Sequence, residues 1–224
     1  GKNLASNFWI QQAYADISWK KLTLSLGSKE RNGFPLEKNP QLTTGWMTEG
    51  PNTRPIPQLR VEIKDFLDIP GLGHWLALKG HLAYGWFTDS NWQEDFAGNN
   101  RYFTKGTKYH SKSLLFRLGN RKKLPLEFEF GLIMDTQFGG SKYCKNAQGE
   151  VSKTMDMPDD LGAYWRAFFP QGGGSDTTEG EQKNAEGNML GSWNFALNCY
   201  LNDWKLRVYL DHSFEGHSQL FGEY

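Results

Sequence analysis

Apolar and polar residues alternate with a period of two through eight segments of this chain, and that alternation is the strongest constraint on its fold. The segments run over residues 8–19, 22–26, 58–64, 76–86, 113–118, 126–134, 191–201 and 206–210. A period of two places successive side chains on opposite faces of a β-strand, so each segment has one apolar and one polar face. The chain is therefore predicted to be all-β, with about eight antiparallel strands in a single domain over residues 1–224.

The connections between these segments alternate in length. The short ones cover residues 20–21, 70–73, 120–123 and 202–203, and the long ones cover 31–56, 89–108 and 139–187. One short helix is predicted in the third long connection, between Pro158 and Pro170, with Asp159 and Asp160 in its first turn. Short turns at one end of the strands and long extracellular loops at the other are typical of transmembrane β-barrels of bacterial outer membranes.

Membrane barrels and water-soluble barrels show the same alternation, so the alternation cannot tell them apart. The composition of the polar face can. This face carries charges of both signs, which are costly in an apolar core but well solvated in a hydrated barrel interior. Trp9 and Trp19 share a face, and their spacing corresponds to about 25 Å along the membrane normal, the height of the apolar band between aromatic girdles. Trp86 and Trp204 fall at strand ends in a compatible way. The apolar face is therefore predicted to contact lipid.

The polar face is then predicted to line the barrel interior. The side chains predicted to face this interior are Asp16, Arg60, Glu62, Lys64, Lys79, His81, Arg117, Glu127, Glu129, Asp135, Lys205, Arg207 and Asp211.

Composition excludes two classes of protein. The chain has 25 Lys plus Arg and 25 Asp plus Glu, so the formal net charge is zero and no long-range field attracts nucleic acid. Mean hydropathy is −0.65, and no apolar run reaches half of the roughly 20 residues in a membrane-spanning helix. No signal peptide is visible at the N-terminus. Whether Cys144 and Cys199 form a disulfide stays open.

Two groups of side chains resemble catalytic or metal sites but fit them poorly. Asp211, His212 and Ser213 are adjacent on a strand, so they point to opposite faces and cannot assemble as a catalytic triad. His212 and His217 have no third metal ligand in their spacing. No metal and no cofactor is predicted.

A pair of glutamates is the remaining candidate for catalysis. Glu127 and Glu129 share a strand face about 6.6 Å apart, a separation within the range of glycosidase carboxylates. Basic side chains on the same polar face explain them better, as ion-pair partners: Lys79, Arg117 and Arg207. No catalytic residue is predicted.

Aromatic and charged residues are concentrated in the long loops. The predicted ligand-binding residues are Trp46, Arg54, Trp92, Arg101, Tyr102, Tyr164, Trp165 and Arg166. Aromatic rings beside polar groups suit stacking on sugars and hydrogen bonding to them. The same loops could equally fold over the barrel mouth and plug it, and the sequence leaves both interpretations open.

Four stretches of the chain are similar to the capsule assembly Wzi family of outer-membrane β-barrel proteins, especially to its Bacteroidetes-type members. They are residues 26–31 (LGSKER), 53–60 (TRPIPQLR), 79–85 (KGHLAYG) and 211–219 (DHSFEGHSQ). The Arg-Pro-Ile-Pro-Gln run in the second stretch is the most specific of them. Members of this family are about twice as long, so the resemblance implies that this chain is a fragment from the middle of a larger barrel.

The resemblance also implies a function. It predicts a non-enzymatic, lectin-like protein in the outer membrane of a Gram-negative bacterium, which holds exported capsular polysaccharide at the cell surface. The expected partners are capsular polysaccharide and outer-membrane lipid, with no nucleic acid, and the expected form is a monomeric barrel. Two alternatives remain: a porin or transporter with a polar lumen of mixed charge, and an outer-membrane lipid or glycan hydrolase.

Overall fold

The computed structural model describes residues 10–31, 41, 48–50, 54–169 and 188–215. In chain order its elements are β1 (Ala13–Trp19), β2 (Leu22–Ser28), β3 (Gln58–Asp68), β4 (Leu76–Trp86), α1 (Trp92–Phe96), β5 (Arg101–Lys105), β6 (Lys108–Leu118), β7 (Leu126–Phe138), β8 (Ser141–Lys145), β9 (Val151–Asp156), α2 (Leu161–Phe168), β10 (Asn188–Leu201) and β11 (Trp204–Glu215). Trp9, Trp46 and His217, three residues of the sequence-based predictions, lie outside the described residues.

Eight of these strands form one antiparallel sheet, in the order β1-β2-β3-β4-β6-β7-β10-β11. The prediction of an all-β fold with eight antiparallel strands is confirmed. Among the described residues, β1 and β11 each pair with one strand only, so the sheet is open and is not closed into a barrel.

The two ends of the sheet differ in the length of their connections, as predicted. Residues 20–21, 69–75, 119–125 and 202–203 connect strands at one end, which we call the turn end. Residues 29–57, 87–107 and 139–187 connect strands at the opposite end, which we call the loop end.

The long connections contain more regular structure than the sequence indicates. Strands β5, β8 and β9 form a second antiparallel sheet, in which β5 from one connection pairs with β8 from the next. The prediction of irregular loops with a single helix was wrong here, because this pairing joins distant segments and leaves no periodic pattern in either of them. The predicted helix is present as α2 and begins after Asp160, whose side chain accepts a hydrogen bond from the Ala163 backbone N–H at 2.8 Å. The additional helix, α1, was not predicted.

The two faces of the large sheet have inverted burial. We call the face that carries Arg60 and Asn198 the inner face; both residues are only 1% exposed. The opposite, outer face carries apolar residues that are exposed, such as Leu114 at 45% and Val208 at 70%. This arrangement is the reverse of the one that water favours for a sheet with one apolar side.

The sheet curls around its inner face. Phe66 on β3 and Tyr209 on β11 both pack against a small buried cluster of Leu115 and Ala196. Strands β3 and β6 are two positions apart, about 9.6 Å in a flat sheet, yet Cα atoms of these two strands approach within 8 Å of each other. The polar side chains are therefore buried by curvature of the sheet and by one another.

A glycine on β7 permits this close packing. Leu115 lies over Gly131, and a Cβ atom added at Gly131 would fall 2.2 Å from the Leu114 carbonyl oxygen and 2.9 Å from Leu115 Cγ. We expect Gly131→Ala to lower the free energy of unfolding by about 1–3 kcal/mol, because the inner face has no space for the methyl group. Denaturant titration followed by tryptophan fluorescence measures this loss.

A matched control is available in the second long connection. At Gly98 the nearest atom to an added Cβ is Arg101 Cγ at 3.8 Å, an ordinary contact. Gly98→Ala is expected to leave stability unchanged or to raise it slightly. Equal stability of the two variants would contradict the close packing at Gly131.

Candidate functional site

A cavity of about 260 Å³ opens at the loop end of the inner face. Four stretches of the chain supply most of its walls: residues 29–31 after β2, residues 48–50 and 54–56 before β3, and residues 135–137 near the end of β7. Phe87, Tyr109 and Leu190 complete the lining. We call this space the loop-end cavity.

Residues 48 and 49 fasten the β2–β3 connection across the inner face. Thr48 Oγ1 donates a hydrogen bond to the Asp135 carboxylate on β7. Glu49 accepts hydrogen bonds from Arg60 Nη1 at 3.1 Å and from Gln58 Nε2 at 2.6 Å, both on β3. The connection thereby links two strands that are three positions apart in the sheet and forms one wall of the cavity.

Asp135 lies at the base of the cavity and is 4% exposed. Besides the bond from Thr48, it accepts a hydrogen bond from Tyr109 Oη at 2.6 Å. Tyr109 is itself 3% exposed, and its ring meets Phe87 edge to face at 5.7 Å. This carboxylate is therefore held by neutral hydroxyl donors in a rigid setting.

Arg31 forms the opposite wall. Its guanidinium donates to the Lys29 carbonyl oxygen at 2.9 Å and to Ser25 Oγ at 3.2 Å. Its buried Nε has no hydrogen-bond partner within the described part of the chain. Burial lowers the pKa of this guanidinium, and the positive charge of Arg60 lowers it further.

A second polar cluster lies on the inner face nearer the turn end. Arg207 forms a two-point hydrogen bond to Glu129, at 2.9 and 3.0 Å, and donates to Asn198 Oδ1 at 2.6 Å. Asn198 also donates to Glu129 at 2.9 Å, and Tyr200 donates to Glu127 at 2.7 Å. Both glutamates are thus engaged by other side chains of the network.

The thirteen residues predicted to face the interior differ in burial across the sheet. On the central strands they are almost fully buried: Arg60, Glu62, Lys79, His81, Glu127, Glu129 and Asp135. Toward the strand ends and the sheet edges they are more accessible: Asp16, Lys64, Arg117, Lys205, Arg207 and Asp211. The thirteen residues predicted from alternation alone therefore share the parity of the inner face, and their burial increases toward the centre of the sheet.

Several of these side chains have specific partners. Arg60 Nε donates to Glu62 at 2.9 Å, and Lys64 lies 3.4 Å from the same carboxylate. His81 lies between the hydroxyls of Ser111 and Ser113, at 2.7 Å from each. The following partners complete the set: Lys79 over Phe66, Arg117 with Asp68, Asp16 with Lys29 and Lys205 over Tyr200.

The seven predicted ligand-binding residues that the structure describes do not form one site. Arg54 lines the loop-end cavity. Trp92 on α1 and Arg101 and Tyr102 on β5 belong to the small sheet and its helix, and Trp92 stacks on Phe96 at 5.1 Å.

The other predicted residues lie on α2. Tyr164 packs against Tyr84 at 5.4 Å and Phe138 at 5.0 Å, so it fixes the helix on β4 and β7. Trp165 is 62% exposed beside Phe169, and Arg166 pairs with Asp160. Tyr84 and Phe138 have the parity of the outer face, so Tyr164 packs on that face, while Trp165 remains accessible. Whether these loops bind sugars or plug a barrel mouth stays open.

No family model, curated protein or solved structure matches this chain.

Cavity residues that sequence reasoning missed lie mostly outside the predicted strands. Arg31 and Glu49 belong to an aperiodic connection, and no local signal places them on the inner face. Tyr109 was accessible to prediction, because it continues the inner-face parity of Ser111 and Ser113 to the start of β6. Thr136 also lines the cavity, although it lies between Asp135 and Gln137 and has the opposite parity on β7.

The groups considered for catalysis are placed as follows. Asp211 pairs with Asn194 and His212 with Trp193 in the β10–β11 register, so they lie on opposite faces. In the described residues no three His, Cys, Asp or Glu side chains gather to hold a metal ion.

Cys144 on β8 and Cys199 on β10 are free thiols. No described helix is long and apolar enough to span a bilayer.

Proposed function

We propose that this chain belongs to an outer-membrane β-barrel of a Gram-negative bacterium, and that its loop end holds capsular polysaccharide at the cell surface without transforming it. The inverted burial of the large sheet is the observation that carries the proposal. Large exposed apolar side chains on all eight strands of the large sheet, such as Ile17 on β1 and Leu114 on β6, are unfavourable in water and are stable against acyl chains. The paired charges inside match the polar interior of such barrels.

The dimensions of the strands fit this setting. Strands β3, β4 and β6 each have 11 residues, and a tilted strand needs about 9–11 residues to cross a bilayer. Trp19 and Trp204 lie at the turn end and Trp86 at the loop end, and all three are more than half exposed. Tryptophan at both boundaries of an apolar band is the expected girdle arrangement.

Exposed aromatic rings at the loop end support a role in binding sugars. Trp92 is 48% exposed, Tyr102 58% and Trp165 62%, and each lies on an element within a long connection. Flat aromatic faces next to polar side chains provide stacking surfaces for the apolar faces of sugar rings. A repeating polymer can contact several such surfaces at once, so weak contacts add up to retention.

The most specific part of the Wzi resemblance contributes directly to the cavity. Within residues 54–58, Arg54 and Pro55 line the loop-end cavity, and Gln58 binds Glu49 in its wall. The motif therefore has a structural role at the surface where a capsule would be held.

A porin is the less favoured alternative, because the inner face is filled by paired side chains. Arg60, Glu129 and Asn198 each have partners on the same face and are at most 6% exposed. A planar-bilayer recording of the purified protein separates the two functions. We expect no steady conductance, whereas a large ohmic current would favour the pore.

Cell fractionation and capsule retention test the proposal itself. We expect the protein in the outer-membrane fraction, resistant to alkaline carbonate extraction. We expect deletion of its gene to release capsular polysaccharide into the medium with no change in its total amount. Protein recovered from the soluble fraction, or unchanged surface capsule after deletion, would contradict the proposal.

An exposed tryptophan on α2 gives a finer test. We expect Trp165→Ala to weaken binding of capsular polysaccharide about fivefold, because it removes one stacking surface of about 1 kcal/mol. Leu161→Ala on the same helix is the control, since Leu161 is 88% exposed and has no aromatic ring. Binding of the purified protein to immobilised capsule gives the comparison, and equal losses in both variants would refute stacking at Trp165.

A further inference from the structure

The charged groups around the loop-end cavity are unequally satisfied. Its carboxylates already have donors from the protein: Glu30 from Gln11, Glu49 from Arg60 and Gln58, and Asp135 from Thr48 and Tyr109. Lys29 is paired with Asp16. Within the described residues, Arg31 donates only to two neutral oxygens and forms no ion pair with a carboxylate.

The environment of Arg31 favours an added anion. Its buried Nε–H lacks an acceptor in the described chain, and a buried donor without an acceptor costs free energy until one is supplied. A planar guanidinium matches a carboxylate with two parallel hydrogen bonds. Arg54 adds a second positive charge to the same cavity.

The other walls of the cavity suit the rest of a sugar residue. The Gln137 amide can hydrogen-bond to hydroxyls, and Pro55 and Phe87 present apolar surface. The volume of about 260 Å³ lies just below the range of about 300–1,000 Å³ for sites of drug-sized ligands. A single ring of a polymer is therefore a suitable occupant.

We propose that the loop-end cavity is a subsite for one uronate residue of an acidic polysaccharide, with Arg31 and Arg54 binding its carboxylate. This inference rests on the proposed function and specifies the class of glycan that the protein selects. Polar contacts from Gln137 orient the ring, and Phe87 and Pro55 shield it from water.

Two short oligosaccharides of equal length test the subsite. Trigalacturonate carries a carboxylate on each ring, and galactotriose is its neutral counterpart. Titration calorimetry of the detergent-purified protein is expected to show at least tenfold tighter binding of trigalacturonate. We expect Arg54→Gln to reduce that affinity about tenfold, because it removes one charged hydrogen bond, and Arg54→Lys to retain part of it.

A second variant and a control protect the test against misfolding. Arg31→Gln is expected to have a similar effect, and tryptophan fluorescence verifies that each variant is folded. Lys123→Gln, at an exposed position of the turn end, removes an equal charge far from the cavity and from the loop-end aromatic rings, and should leave trigalacturonate affinity unchanged.

The possible results separate this inference from the proposed function. Equal affinity for the two trisaccharides, or equal trigalacturonate affinity in wild type, Arg31→Gln and Arg54→Gln, would overturn the uronate subsite while leaving capsule retention standing. Retention of capsule that is lost on gene deletion, together with selective loss of uronate binding in the two arginine variants, would support both. Failure of the protein to retain any capsule would overturn both.

Discussion

Replacing Arg207 by alanine is expected to lower the free energy of unfolding by about 3–5 kcal/mol, the largest effect of any single substitution considered for this protein. Arg207 supplies both hydrogen bonds of a two-point contact to Glu129, which is 6% exposed. Without Arg207 the carboxylate keeps, among the described residues, a hydrogen bond from the neutral Asn198 amide and the charge of Lys79 at longer range. A buried charge without its counter-ion is costly because the surrounding protein replaces its hydration poorly.

Denaturant titration in lipid vesicles measures this loss, and two further variants define its cause. Arg207→Met combined with Glu129→Gln removes both charges and should recover most of the stability, since the amide can still bond to Asn198. Arg166→Ala removes an exposed ion pair with Asp160, whose N···O distance is 3.8 Å, and should cost at most about 1 kcal/mol. If Arg207→Ala cost no more than Arg166→Ala, the buried network would not stabilise the sheet.

Leu114→Arg is expected to destabilise the protein in a bilayer by about 2–4 kcal/mol. Leu114 lies in the middle of β6 on the outer face and is 45% exposed. If this face contacts acyl chains, the guanidinium must either enter the hydrocarbon or distort the bilayer to reach water. In an aqueous environment the same substitution would be close to neutral, because the side chain is already exposed.

Leu161→Arg is the matched control, because Leu161 is 88% exposed at the start of α2 in a long connection. It should change the free energy of unfolding by less than about 0.5 kcal/mol. Reversible unfolding in lipid vesicles compares the two variants directly. Equal, small effects at both positions would show that the outer face does not lie in the hydrocarbon.

Alternation of residue type predicted the inner face well, because the pleat of a strand has a period of two regardless of where the strand lies in the protein. Arg60, Glu129 and Arg207 were assigned from that parity, and their side chains meet partners on the same face. The partners themselves were predicted only in part. Arg207 bonds to Glu129 and Arg117 lies 3.7 Å from Glu127, both as expected, whereas the hydrogen bond from Tyr200 to Glu127 was not predicted.

The small sheet and the loop-end cavity depend on contacts between distant segments. Strand β5 pairs with β8 across residues from two long connections, and Glu49 reaches Arg60 from an aperiodic stretch. Neither segment has a local preference that reveals its partner, since the free energy of each pairing arises only when both are brought together.

The sequence by itself determined eight strands, their turns, the helix at Asp160 and which side chains share a face. These features depend on neighbouring residues and on the fixed geometry of a strand or a helix turn. The charges of both signs on the polar face also predicted that this face lies inside. Only the tertiary structure decided that the described sheet curls but stays open, and that Arg31, Glu49 and Asp135 meet at one cavity. Those outcomes depend on which distant surfaces come into contact, and periodicity along the chain carries no information about that choice.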